Sequence, residues 1–79
     1  MKQFVETLLK TLVDFPEKVE VNEVSAGKVL VFEVCVSQDD MGRVVGKGGH
    51  NITSIRTLSE HVGARSGKRV IIELIEPKR

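Results

Sequence analysis

Tryptophan and tyrosine are absent from this sequence, and the aromatic rings are three phenylalanines, Phe4, Phe15 and Phe32. None lies near the glycine-rich run at 46–49, so a site there that stacks planar ligands on aromatic faces is excluded. The single cysteine, Cys35, excludes an intrachain disulfide and cannot by itself build a metal centre. No apolar run reaches the roughly 18 residues of a membrane span. Met1-Lys2-Gln3-Phe4 leads directly into an amphipathic pattern, without the apolar core of a signal peptide, and the expected setting is cytoplasmic. Paired carboxylates, metal-ligand clusters and nucleophile constellations are also missing. Cys35 would need His50 or His61 in contact to form a dyad, and its strand position gives no reason for that. No catalytic residue, metal or cofactor is expected, and the chain reads as a non-enzyme.

What is present fits one small domain over residues 1–79. A chain of this length buries only about 60% of its unfolded surface, so its core is thin. The formal charge of +1 hides an asymmetry. Residues 43–69 hold Arg43, Lys47, Arg56, Arg65, Lys68 and Arg69 against Glu60 alone, a local charge of +5. The remainder, with six basic and ten acidic residues, carries −4. A basic segment on an acidic body points to a localised anion site; the alternative is a solvated face that happens to be basic.

Hydrophobic periodicity predicts the elements. Phe4, Val5, Leu8, Leu9, Leu12 and Val13 mark a helix over 1–15, stopped by Pro16. Partial alternation from Lys18 to Val24 predicts a strand, Ser25 to Lys28 a turn, and Val29 to Val36 a second strand of the same hairpin. In that strand Leu30, Phe32, Val34 and Val36 share the inner face. Ser37 is a candidate N-cap, with Asp39 and Asp40 in a first helical turn where acids favour the dipole. A short helix then runs to about Val45 and breaks at Gly46. A further helix starts near His50 or Asn51, carries Ile52, Ile55, Leu58, Ser59 and Val62 inward, and ends at Gly63. After a loop, Arg69 to Glu76 forms the last strand, closed by Pro77. The fold class is α+β, in the order α-β-β-α-α-β, with three helices on one face of a three-stranded sheet. If the last strand lies parallel to a neighbour, the two-helix connection is a crossover. The opposite sheet face then exposes Val29, Val31, Cys35, Ile71 and Ile75, interrupted by Glu33 and Glu73.

The run Val44-Val45-Gly46-Lys47-Gly48-Gly49-His50-Asn51-Ile52 is the most informative stretch. It is not a P-loop: only three residues separate Gly42 from Gly46, and Gly48 stands where a hydroxyl must reach magnesium. It fails the dinucleotide fingerprint because Asn51 occupies the third glycine position. What is left is a basic glycine loop between two helices. Missing β-carbons let phosphates approach the main chain, amides at the next helix start face the loop, and Lys47 adds a point charge. Three glycines in four residues exceed the needs of a plain helix–turn–helix linker.

An aliphatic pair, G-x-x-G and then x-x-I resembles the signature of KH domains, matched at Val44-Val45, Gly46 to Gly49 and Ile52. Asp40-Met41-Gly42 before it and Gly67-Lys68-Arg69-Val70 after it extend the match. The element order resembles the type II KH fold, and a lone domain of this length is similar to the small bacterial single-KH (KhpA-type) RNA-binding family. The resemblance implies that single-stranded RNA is clamped by its backbone at the loop, with bases turned into a groove between helices and sheet. On that basis the RNA-binding residues are Gly46, Lys47, Gly48, Gly49 and His50 in the loop. Met41, Val44, Val45, Ile52 and Ile55 form an apolar floor, the alternative being that these aliphatics, Val45 and Ile55 above all, are simply core; Arg43, Arg56 and Lys68 are flanking cations, with Arg65 and Arg69 close by. The scarcity of aromatics removes the RRM and OB modes of base stacking and leaves a weak clamp of modest sequence preference. The family often places Arg or Lys just after the motif, where this chain has His50. His50 either helps as an imidazolium held by a bound phosphate, giving RNA affinity a pH dependence between about 5.5 and 8 that His50→Gln lacks, or is a plain polar helix-start residue. The resemblance also implies an RNA-chaperone role and a homodimer, or a pair with a second KH-type RNA-binding protein. A protein-interaction adaptor that keeps the fold without RNA affinity is the alternative.

Overall fold

The computed structural model describes residues 1–76. Three helices, α1 (Lys2–Leu12), α2 (Met41–Val45) and α3 (His50–Arg65), accompany three strands, β1 (Glu20–Ala26), β2 (Val29–Cys35) and β3 (Arg69–Leu74). Single 3-10 turns precede β1, α2 and α3. The sheet order is β1-β2-β3, with β1 antiparallel and β3 parallel to the central β2. This is the expected α-β-β-α-α-β arrangement. β2 carries the alternation read in the sequence: Leu30, Phe32, Val34 and Val36 are buried and the residues between them half-buried. The core joins them to Val5 and Leu9 of α1, Val44 of α2, Ile52 and Ile55 of α3, and Val70 and Ile72 of β3. On the other sheet face Val29, Val31, Cys35 and Ile71 are half-buried and Val24 is exposed.

Several boundaries differ from expectation. α1 ends at Leu12, not near residue 15, and Val13 is extended. The amides of Asp14 and Phe15 leave the helical ladder and donate to the carboxylate of Asp40, at 2.9 and 3.1 Å. Asp40, read as a first-turn acid favouring the helix dipole, is 1% exposed. β1 starts and ends two residues later than expected, because Pro16–Lys18 forms a 3-10 turn and the hairpin closes tightly at Gly27-Lys28. β2 stops at Cys35 and β3 at Leu74; Pro77 lies outside the described residues.

α3 does not end at Gly63. It runs to Arg65 and closes with a Schellman motif, Lys68 N–H to Gly63 C=O at 2.9 Å and Gly67 N–H to Ala64 C=O at 3.0 Å, with Gly67 at φ 70° supplying the left-handed residue. Gly63 serves packing instead: a β-carbon there would overlap Val70 Cγ2. Leu58 and Val62, expected inward, are 48% and 37% exposed. At 100° per residue both sit to one side of the Ile52–Ile55–Ser59–Gly63 stripe, beside a narrow groove against α1 lined partly by Leu8 and Leu12.

Candidate nucleic-acid interface

The glycine loop is built by its two flanking helices. α2 ends when Gly46 takes φ 77°, ψ 168°, a conformation open in practice only to glycine. Gly48 and Gly49 follow at φ 65° and 77°. All three glycines thus take positive φ for the turn itself, Gly46 in the region reserved to glycine, so their number alone does not separate a clamp from a linker. Asn51, the second residue of α3, ties the loop down: its Nδ2 donates to the Arg43 carbonyl at 2.7 Å and so caps α2. A β-carbon on Gly46 would meet Asn51 Cγ at 2.7 Å and its backbone nitrogen at 2.9 Å. In the sequence Asn51 reads only as a helix-start residue; an amide just after a glycine break was the available signal.

The outer side of the loop is open. A β-carbon on Gly49 would meet nothing within 4 Å, and one on Gly48 would meet only the His50 ring, at 3.2–3.3 Å. Lys47 is exposed. Gly48, His50, Thr53 and Ser54 line a shallow cavity of about 350 Å³ at the start of α3.

A second cavity, of about 440 Å³, lies along the edge of β3 and is lined by Arg56, Glu60, Ala64, Lys68, Arg69 and Val70 to Ile72. Thr53, Arg56, Glu60 and Ala64 follow one another at helical spacing of three and four, so a single stripe of α3 joins the two cavities. Arg56 lies about 9 Å along the helix from His50. β3 is an edge strand. Arg69 donates its amide to the carbonyl of Lys28, just before β2, at 2.7 Å, and Ile75 donates to that of Val34 in β2 at 2.8 Å. The parallel ladder therefore turns the amides and carbonyls of Val70, Ile72 and Leu74 to the open edge. Arg56 Nε occupies one of these, the Ile72 carbonyl, at 3.3 Å.

The structure therefore brings Lys47, Gly48, Gly49 and His50 to one end of a track and Arg56 and Lys68, joined by Arg69, to the other. The remaining expected residues are placed differently. Ile52 is 7% exposed and belongs to the core. Met41 and Val45 pack against the core's margin. Arg43 points to the α1 end, with Nη2 at 3.1 Å from Asp14 Oδ2.

A strand, two short-linked helices around a G-x-x-G turn and a parallel return strand, preceded by one helix and one strand, define a KH domain of type II topology. The family model described as "KhpA/KhpB, KH domain" matches residues 2–74, and the chain belongs to that family. It is 41% identical over 75 residues to the RNA-binding protein KhpA of Clostridium acetobutylicum, covering 95% of this chain and 100% of that one. It is 40% identical over 78 residues to RNA-binding protein KhpA of Chlamydia pneumoniae, covering 99% and 100%. Among solved structures, a crystal structure of an Aquifex aeolicus Era variant bound to GDP.AlF4- superposes with a TM-score of 0.60 at 22% identity, over 92% of this chain and 28% of that chain; this similarity speaks for the fold alone. Among the described residues no helix is long and apolar enough to cross a membrane.

Proposed function

We propose that this protein is a non-catalytic single-stranded RNA-binding module of the cytoplasm that acts as an RNA chaperone. The observation that carries the reading is the continuous track from the open Gly46–Gly49 turn along α3 to the Arg56–Lys68 cavity at the edge of β3. Phosphates lie on the loop, where β-carbons are missing and Lys47 is exposed. Bases turn toward α3 and the β3 edge. The His50 ring lies over Gly48 at the start of the same track. Relatives named as RNA-binding proteins support the same assignment. Amide chemical shifts during titration with a short RNA test it. Residues 46–50, 53, 56 and 68–72 are expected to move together. Movement confined to the open sheet face, or none at all, would favour the adaptor reading.

Association belongs to the same proposal, as a homodimer or a pair with a second KH-type RNA-binding protein. Leu58 and Val62, one turn apart on α3, are apolar, exposed and on the side away from the RNA track. A second copy would bury both across a two-fold axis. Sedimentation at high micromolar concentration is expected to show a dimer that Leu58→Glu dissociates. A monomeric parent counts against the homodimer, and mixing with the second KH protein then tests the pair.

A further inference from the structure

On the face of the sheet turned away from the helices, the strand register sorts side chains into rows. Val21, Leu30, Phe32, Val34, Val70 and Ile72 belong to the core, so the residues between them form the opposite face. Val24, Val31 and Ile71 make one apolar row across the three strands, and Asn22, Glu33 and Glu73 make the next. Val29 lies beyond the apolar row, and Cys35, paired with Glu20, lies beyond the acidic one. Val24 is 51% exposed. Glu33 and Glu73 stand directly opposite each other on strands about 4.8 Å apart, an arrangement that costs stability through like-charge repulsion. Glu33 is half-buried on the central strand, and the ion pair formed among the described residues, Arg43–Asp14, involves neither carboxylate.

We propose that this face docks a basic amphipathic helix of a partner protein, laid across the strands, with apolar side chains on the Val24–Val31–Ile71 row and lysines or arginines on Glu33 and Glu73. Charge complementarity selects the occupant. The two carboxylates repel RNA and an anionic bilayer alike, and a second copy would bring the same two carboxylates to the face. Dimensions agree. Three strands span about 10 Å and two helical turns about 11 Å, so apolar residues at i, i+4 and i+7 reach all three strands. One flank of that helix then lies over the acidic row, about 7 Å away along the strands. Bound cations relieve the repulsion between Glu33 and Glu73, a gain that an uncharged apolar segment lacks. The face lies opposite the helices that carry the glycine loop, so the proposal stands independently of the RNA reading.

The probes are a model helical peptide of leucine and lysine in that spacing, its leucine–glutamate counterpart and a scrambled leucine–lysine peptide. Amide chemical shifts report binding, as does the alkylation rate of Cys35, the single thiol, half-buried on this face. The leucine–lysine helix is expected to shift residues 22–24, 29–35 and 69–73 together and to slow alkylation. It should bind the parent about tenfold more tightly than Glu33→Gln/Glu73→Gln, the effect of two partly exposed charge contacts. That variant keeps the shape of both side chains and loses their repulsion, so it should melt no lower than the parent. The leucine–glutamate and scrambled peptides should bind far more weakly than the leucine–lysine helix. Equal affinity of the leucine–lysine helix for parent and double variant overturns the proposal, as do shifts confined to the Leu8–Leu12–Leu58 groove, or no binding at all.

Discussion

Two amides at the end of α1, those of Asp14 and Phe15, have left the helical ladder and go to one carboxylate, Asp40, that is 1% exposed. That side chain joins the end of α1 to the start of α2 and so sets where the helix carrying the glycine loop begins. Hydrogen bonds to a charged acceptor are worth more than neutral ones, and removing the acceptor leaves both donors short of a partner. Asp40→Ala is expected to cost about 2–3 kcal/mol, read as a lower urea midpoint at unchanged slope. A loss below about 0.5 kcal/mol would make the contact incidental. The sequence offers nothing local to separate Asp40 from Asp39: the partners lie 25 and 26 residues away. Arg43 illustrates the same blindness. Its place in the basic segment suggested a cation flanking the RNA, while its neighbour in space is Asp14, an exposed pair of little stabilising value.

Elements were more legible than their ends. β2 alternates without exception and α1 carries a plain stripe, so their existence and faces follow from local pattern. The ends follow from tertiary contact. α1 stops before Pro16 because Asp40 draws the chain aside, and α3 passes Gly63 because the residue at position 67 supplies the left-handed turn. Helical periodicity also misplaced Leu58 and Val62, which flank the buried stripe and not its centre. Two glycines on helices make a direct test of this distinction. Gly42 on α2 has open space where a β-carbon would go, and Gly63 on α3 has Val70 and the Lys68 carbonyl. Gly42→Ala is expected to stabilise by up to about 1 kcal/mol through helix propensity. Gly63→Ala is expected to destabilise by about 1–3 kcal/mol, since overpacking exceeds the same propensity gain. Thermal melts of equal sign for the two would remove the packing role of Gly63.

At the scale of the molecule, the fold separates three surfaces on α3. One side enters the core, one runs from the glycine loop to the β3 edge with the basic residues, and one presents Leu58 and Val62. Charge bookkeeping along the chain already marked the basic segment, and the motif marked the loop. The β3 edge was hidden from the sequence, because strand order and parallel register decide which backbone groups face outward. The central claim is that the loop holds RNA by its phosphates. Anisotropy in a salt series, on the parent and on a Lys47→Asp/Gly48→Asp variant, addresses it. An aspartate at position 48 tolerates the left-handed backbone and meets only the movable His50 ring, so the variant should keep its fold. With two to four phosphate contacts, the parent's log–log slope against salt is expected near −1.4 to −2.8, and the folded variant should bind far more weakly with a shallower slope. Equal affinity and an equal slope in the folded variant would contradict the account.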